Sequence, residues 1–99
     1  MDFTIDNNKI YYKKEDKELA YIDLDYTPDG LVVLEKVFVD PELRGLGVAS
    51  KLMAFAANYF SEEKITVVPM CSYANAWYQR HEEYLKGAKM PEDGPRCKL

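Results

Sequence analysis

Hydrophobic and polar residues alternate along the N-terminal part of the chain with the two-residue period of half-buried β-strands. The clearest run is 18–26. One face of it carries Ala20, Ile22, Leu24 and Tyr26, and the other carries Tyr21, Asp23 and Asp25. This run predicts a strand with one face in a core and one face toward solvent.

Further β-rich segments flank this strand. Residues 2–13 form two short runs around the Asn-Asn pair at 7–8, which tolerates the left-handed backbone of a tight hairpin turn. The Thr-Pro-Asp-Gly sequence at 27–30 is a turn signal, and the β-branched run 31–39 follows it. Short connections between the four strands predict an antiparallel meander, which Pro41 ends.

After Gly45 the apolar residues recur at helical spacing. Positions i, i+4, i+7 and i+11 are held by Val48, Leu52, Phe55 and Tyr59. This helix is predicted to end near Ser61, and the β-branched run 64–69 then predicts a buried strand. A strand–helix–strand order implies a parallel pair with a right-handed crossover. Residues 72–86 return to a helical pattern, so the predicted fold class is α+β, an antiparallel sheet followed by one βαβ unit.

Length and hydropathy predict a single small domain. The 99 residues have room for one core, expected over 1–86, and a Gly-, Pro- and charge-rich tail at 87–99 is expected to be loose. The longest apolar run, at 31–34, is far shorter than the roughly 20 residues that span a bilayer. The N-terminus lacks the basic-then-apolar order of a signal peptide, so a cytoplasmic location is expected.

Charge and cysteine content argue against several classes of function. A net charge of −4 disfavours duplex nucleic acid, which requires a surplus of Lys and Arg. Cys71 and Cys97 are expected to be reduced thiols, and with the single His81 they make no metal-ligand pattern, so no metal is expected. His81 is expected to order the final helix. The chain is expected to be a monomer or weak homodimer that binds neither membrane nor nucleic acid.

Two glycines and an arginine stand where the last meander strand gives way to the first helix. A helix N-terminus presents unpaired N–H groups and about half a positive charge, and glycines let an anion approach the backbone. The N–H groups from Leu43 to Gly47 are therefore placed to wrap a pyrophosphate, with Arg44 and Lys51 adding charge. A P-loop and a GxGxxG pattern are both missing, which disfavours ATP and NAD. The alternative is a turn at a helix start with no ligand.

The segment 44–49, Arg-Gly-Leu-Gly-Val-Ala, resembles the Arg/Gln-x-x-Gly-x-Gly/Ala signature of the GCN5-related N-acetyltransferases, and it lies between a long strand and a central helix as in that family. Residues 67–84, which include Cys-Ser-Tyr at a strand-to-helix junction, resemble the family's small single-domain YjdJ-like branch. Together these segments cover most of 19–84. The resemblance implies a minimal acyl-CoA N-acyltransferase fold that lacks the N-terminal helices of most members, with acetyl-CoA as cosubstrate.

The resemblance also implies where acetyl-CoA binds. Its pyrophosphate would lie on a loop made of Arg44, Gly45, Leu46, Gly47, Val48 and Ala49. Its pantetheine arm would contact backbone groups of Phe38 and Val39, in the gap between the strand before the loop and the strand after the central helix. Ser72 and Asn75, at the start of the final helix, are expected within reach of the same gap.

Four residues are candidates for the chemistry. Cys71 precedes a helix whose positive end stabilises a thiolate, so it could carry the acetyl group; the alternatives are a small buried residue and direct transfer. Tyr78, with Tyr73 as its competitor, is the candidate proton donor to the CoA sulfur, and core packing is the alternative for each. Glu35 is the candidate general base, on the opposite strand face from Lys36, with a plain surface carboxylate as the alternative.

The predicted function is acetyl-CoA-dependent N-acetyl transfer to a primary amine. The segment between the first strands has no room for the helices that cover the acceptor side in most members of the family, so the acceptor site should be open. An open site favours an amine on a protein, a peptide or a polyamine. The chief alternative is a non-catalytic acyl-CoA-binding or sensing module, and a third possibility is a small interaction domain with no ligand.

Overall fold

The computed structural model describes residues 2–91, and these contain a mixed five-stranded sheet in the order β1-β2-β3-β4-β5. The strands are β1 (Thr4–Asp6), β2 (Lys9–Lys14), β3 (Lys17–Tyr26), β4 (Leu31–Val39) and β5 (Thr66–Pro69). The helices are a 3-10 turn (Pro41–Leu43), α1 (Val48–Glu62), α2 (Ser72–Arg80) and α3 (Glu82–Leu85). Strands β1 to β4 are antiparallel and β4 pairs with β5 in parallel, so the predicted α+β fold is confirmed.

The first hairpin forms as predicted, but its turn does not use a left-handed backbone. Asn7 and Asn8 both have negative φ, and the N–H of Asn7 donates a 2.8 Å hydrogen bond to Oδ1 of Asp6. This side chain satisfies the turn in a right-handed conformation. The left-handed pair lies in the next hairpin, where Glu15 and Asp16 have φ values of 51° and 65°.

Helix α1 packs its apolar stripe on one face of the sheet, here called the inner face. The buried residues of this stripe are Val48, Leu52, Met53, Ala56, Ala57 and Phe60. The helix ends one residue after the predicted end, where Lys64 adopts a φ of 56° and the N–H of Ile65 donates to the carbonyl of Phe60. The same face receives α2, since Trp77 Nε1 donates a 3.2 Å hydrogen bond to Ser50 Oγ on α1.

The single helix predicted over 72–86 is divided at His81, whose φ and ψ of −124° and 75° are not helical. Its imidazole Nδ1 lies 2.7 Å from the carbonyl oxygen of Trp77. In a continuous helix that carbonyl would accept the backbone N–H of His81. The ring also stacks on Trp77 with centroids 3.8 Å apart. The side chain therefore takes the place of the backbone donor, and α3 starts in a new direction.

The chain after α3 returns to the sheet. Val67 donates its N–H to the carbonyl of Gly87 at 2.9 Å and accepts the N–H of Lys89 at 2.7 Å. Residues 87–89, expected in a loose tail, thus run beside β5. The rest of that tail from residue 92, with Cys97, lies outside the described residues. Between residues 2 and 91 the structure has no helix long and apolar enough to cross a bilayer.

Candidate active site

The site forms where β4 continues beyond the end of β5. The two strands pair from Leu31 to Leu34, and β5 stops at Pro69 opposite Leu34. The N–H groups of Met70 and Cys71 then both donate to the Leu34 carbonyl, at 3.0 and 3.1 Å. Beyond this point, residues 36–39 of β4 pair with β3 alone. Their other edge faces an opening between β4 and the start of α2.

The strand register decides which backbone groups face that opening. The N–H of Asp40 donates a 2.7 Å hydrogen bond to the carbonyl of Leu19 on β3. Because hydrogen-bonded and non-hydrogen-bonded pairs alternate along an antiparallel ladder, Phe38 also directs its backbone groups to β3. Val37 and Val39 direct theirs to the opening. Phe38 and Val39 were the residues predicted to contact pantetheine. The backbone of Val39 faces the opening, but that of Phe38 does not, and Val37 takes its place. This difference follows from the alternation of the ladder once the pairing of β4 with β3 is known.

A cavity of about 250 Å³ occupies the opening. It is lined by Val37, Val39, Arg44, Ala49 and Tyr73. These residues come from β4, from the loop before α1, from α1 itself and from α2. The signature loop and the strand gap, which the sequence linked only by resemblance, therefore meet at one cavity.

Backbone conformation explains the two glycines of the loop. Gly45 and Gly47 have φ values of 84° and 73°, in the left-handed region that glycine adopts without strain. A Cβ added to either residue would meet no atom within 4 Å, so space alone would admit a larger residue. The loop is braced to β4 by Arg44, whose Nε donates a 3.2 Å hydrogen bond to the carbonyl of Val39.

The loop presents several free amide donors. Within residues 2–91, no acceptor is found for the N–H groups of Gly45, Gly47, Val48, Ala49 and Ser50. The first helical bond of α1 runs from Lys51 N–H to the carbonyl of Gly47, and Gly47 supplies no side-chain cap. A cluster of unpaired donors at the positive end of a fifteen-residue helix suits an anion.

A β-bulge places Glu35 on the sheet face opposite the helices, directly after Leu34, where β4 and β5 part. Asp23 pairs with Lys36 and Leu24 pairs with Leu34, which leaves Glu35 as an extra residue in β4. Glu35 and Lys36 consequently line the same open concavity of about 860 Å³ on the outer face of the sheet, the face opposite the helices. Their predicted placement on opposite faces is wrong because the bulge interrupts the alternation.

The two candidate tyrosines lie in different places. Tyr73 lines the cavity and is half-buried, and this burial raises the pKa of its phenol. Tyr78 is 2% exposed and lines a separate pocket of about 180 Å³ with Phe60, Val67 and Tyr84. Burial raises the pKa of Tyr78 strongly. The structure thus puts Tyr73 at the opening and Tyr78 in the core.

The remaining candidates surround the start of α2. Cys71 is fully buried and precedes the helix, while Ser72 is half-buried and does not line the cavity. Asn75 is buried, and its side-chain amide is hydrogen-bonded within the protein. Its Nδ2 donates to the carbonyl of Pro69 at 3.2 Å, and its Oδ1 accepts from Nε2 of Gln79 at 2.6 Å. This residue ties the end of β5 to α2. Among residues 2–91, no three His, Cys, Asp or Glu side chains converge as metal ligands.

Comparison with known proteins identifies the family. The model of the GCN5-related N-acetyl-transferase family matches residues 8–87, which is most of the chain. The protein therefore belongs to the GCN5-related N-acetyltransferases, as the signature loop predicts. Membership assigns it to acetyl transfer in general, and acetyl-CoA binding is typical of this family.

Two solved structures from Staphylococcus aureus resemble the chain. A GCN5-like protein solved by NMR superposes with a TM-score of 0.74 at 23% identity, over 92% of this chain and 90% of that one. A GNAT-family protein solved by crystallography gives a TM-score of 0.50 at 21% identity, over 60% of this chain and 51% of that one. No curated protein matches the sequence. At these identities the likeness concerns the fold.

Proposed function

We propose that this protein is an acetyl-CoA-dependent N-acetyltransferase that acts on a primary amine. The observation that carries the proposal is the position of the free amide donors of Gly45 and of residues 47–50, directly beside the cavity at the open edge of β4. A pyrophosphate on those donors would lead its pantetheine arm into the cavity. Arg44, already anchored to the carbonyl of Val39, adds a positive charge at the loop.

The backbone at the opening fits an extended amide-containing arm. Val37 turns its N–H and carbonyl toward the opening, and Val39 turns its N–H there, while the Val39 carbonyl accepts from Arg44. The thioester at the end of the arm would then reach the β4 bulge. A backbone N–H such as that of Val37 can polarise the thioester carbonyl, because fixed donors stabilise the negative charge that develops on its oxygen.

Two side chains are proposed to transfer protons in the reaction, Glu35 as the acceptor and Tyr73 as the donor. Glu35 accepts the proton of the amine, whose nitrogen attacks the thioester carbon. The new C–N bond forms, the C–S bond breaks, and the CoA thiolate leaves. Tyr73 gives its phenolic proton to that thiolate, since it lines the cavity and, like any tyrosine, is protonated at neutral pH.

Direct transfer is proposed rather than an acetylated cysteine. Cys71 is fully buried, so its thiol is not open to a thioester in this conformation. Its place in the core accounts for a small, apolar side chain at this position.

The acceptor is proposed to be a protruding amine on a protein, a peptide or a polyamine. Strands β1, β2 and β3 follow one another through short turns, and the open concavity lies over their outer face next to Glu35. Such a surface suits an amine carried by a larger molecule better than a small metabolite enclosed in a pocket.

Thermal unfolding and turnover together test the proposal. A ligand that binds only the folded state adds about 2.7 kcal/mol at a hundredfold excess over its Kd, so acetyl-CoA should raise the Tm clearly. Release of the CoA thiol should then depend on added amine. Binding without turnover on any amine would indicate the acyl-CoA-binding module instead, and an unchanged Tm would contradict the proposal entirely.

A further inference from the structure

The cavity of about 180 Å³ that Tyr78 lines lies at the far end of β5 from the proposed active site. It is called the rear pocket here, and Phe60, Val67 and Tyr84 line it together with Tyr78. Strand β5 begins beside this pocket at Thr66, whereas the opening starts where β5 ends. The proposed reaction uses no residue of these walls, so the rear pocket is a second, separate cavity.

One hydroxyl group stands out in the interior of the rear pocket. Tyr78 is 2% exposed, and among residues 2–91 its hydroxyl has no hydrogen-bond partner. Every side-chain nitrogen or oxygen that is completely enclosed there does have a partner, so this hydroxyl borders a space, and the rear pocket is the space that Tyr78 lines. The hydroxyl of Tyr84 differs, because it donates a 2.9 Å hydrogen bond to Oδ1 of Asn58.

The surroundings of this hydroxyl are apolar. Ala57, Phe60 and Val67 are buried and form the neighbouring wall. Burial also raises the pKa of Tyr78, so its phenol keeps its proton and can donate it to an acceptor. A buried hydroxyl without a partner costs free energy, and a ligand that brings an acceptor to it removes that cost. The interior therefore suits an apolar body that carries one acceptor.

The mouth of the rear pocket carries more positive than negative charge. Lys64, Lys86 and Glu83 line it and are all exposed. Within the described residues, neither lysine forms a salt bridge, since the two ion pairs found there lie on other parts of the sheet. Two ammonium groups against one carboxylate favour an anionic group at the mouth.

We propose that the rear pocket binds a small aromatic acid, with its ring beside Phe60, a ring hydroxyl bonded to Tyr78, and its carboxylate at Lys64 and Lys86. The size fits a single ring, because a cavity of about 150 Å³ is enough to bind benzene. The aromatic wall also favours a planar ring over an aliphatic chain. This inference goes beyond acetyl transfer and does not depend on it.

Titration of the ¹⁵N-labelled protein with 4-hydroxybenzoate tests the site directly. Amide signals of Ser61, Val67 and Tyr84 should shift with a saturable Kd near or below about 1 mM, which is ordinary for a ligand of this size. Saturating acetyl-CoA should change that Kd by less than about twofold, since its proposed site lies at the other end of β5. Shifts that do not saturate, or a ligand that acetyl-CoA displaces, would overturn the proposal. Loss of acetyl transfer alone would leave it intact.

Replacement of Tyr78 by phenylalanine tests the role of the hydroxyl. Tyr78→Phe should raise the Kd for 4-hydroxybenzoate about fivefold, the size of one hydrogen bond, and leave the Kd for benzoate unchanged. Equal changes for the two ligands, or no change for either, would contradict the proposed bond. If this variant does not fold, the wild type decides, because 4-hydroxybenzoate should bind about threefold more tightly than benzoate. Equal affinities would overturn the assignment of the hydroxyl.

Replacement of Lys64 by glycine tests the charge at the mouth. Lys64 has a φ of 56°, a conformation that glycine adopts without strain, so Lys64→Gly should not lower the Tm. It should raise the Kd for 4-hydroxybenzoate about threefold and leave that for the neutral 4-hydroxybenzamide unchanged. The matched control is Lys14→Gln, which removes an exposed lysine of β2. Equal effects of Lys64→Gly and Lys14→Gln would overturn the placement of the carboxylate.

Discussion

The N–H of Cys71 donates a 3.1 Å hydrogen bond to the carbonyl of Leu34, the last β4 residue that pairs with β5. This bond fixes the start of α2 against β4 at the point where the two strands part. Cys71 itself is fully buried as part of the hydrophobic core, although it lies next to the proposed reaction centre. Position near the opening and access to it are separate properties of this residue.

Replacement of Cys71 by alanine should preserve acetyl transfer. Loss of the buried sulfur should lower the free energy of unfolding by about 1 kcal/mol, and Cys71→Ser should cost about 1–3 kcal/mol because it buries a hydroxyl group. Both variants should retain kcat within a few-fold in a CoA-release assay. Intact-mass measurement of the wild type during turnover should show no acetylated thiol. Accumulation of an acetyl-enzyme that Cys71→Ala abolishes would establish the covalent route instead.

Gly47→Ala should weaken acetyl-CoA binding through the backbone. Alanine in the left-handed region costs about 1 kcal/mol, and relief of that strain would turn the N–H groups of the loop away from the phosphates. Isothermal titration should show a raised Kd for acetyl-CoA.

The matched control for this change is Gly30→Ala. Gly30 also has a positive φ, 87°, with no atom within 4 Å of an added Cβ, but it lies in the turn before β4. Both variants should lose a similar amount of stability, and only Gly47→Ala should change the Kd. An unchanged Kd in Gly47→Ala would remove the loop from the binding site.

Tyr73→Phe should lower kcat about 100-fold while the KM for acetyl-CoA stays near the wild-type value, as expected for loss of a proton donor. Tyr78→Phe, in the core, should leave kcat unchanged. Burial raises the pKa of Tyr73 above its ordinary 10.0, so loss of the donor form should limit activity only above pH 10. Comparable losses in the two variants would assign both effects to packing.

Alkaline pH should destabilise the fold through Tyr78. Its pKa is raised by burial, so its neutral form is favoured in the folded state. The resulting stability is complete below the unfolded value of about 10 and is lost as the pH rises toward the folded value. Thermal unfolding measured from pH 8 to pH 11 should show a steeper decline in the wild type than in Tyr78→Phe. Parallel declines would show that Tyr78 does not control alkaline unfolding.

Glu35→Gln should reduce kcat/KM for the amine about 100-fold at neutral pH, because the amide cannot accept the proton of the attacking amine. Acetyl-CoA should still raise the Tm. The control is Glu62→Gln, at the exposed end of α1. Wild-type activity of Glu35→Gln would mean that solvent deprotonates the amine.

Much of the fold could be predicted from local patterns. The two-residue alternation through 18–26 placed β3, and the helical stripe after Gly45 placed α1 to within a residue. The break at His81 could not be predicted in this way, because it depends on a side-chain bond to the carbonyl of Trp77 within an otherwise helical pattern.

Only the part of the candidate site that depends on local sequence could be predicted. Helix-start chemistry and the family signature identified the loop from Arg44 to Ala49, whose glycines are required by the backbone itself. The choice between Tyr73 and Tyr78 was not predictable, because both lie on one short helix and only the packing of α2 determines which ring meets the opening.

The sequence by itself determined the order of the elements, the position of the glycine loop and the family, because each depends on residues close together in the chain. Only the tertiary structure decided that Glu35 shares the outer face with Lys36 and that Val37 rather than Phe38 faces the cavity. Both outcomes follow from how β4 pairs with β3. One extra residue in a ladder moves every later side chain to the other face, and nothing within β4 alone specifies where that residue falls.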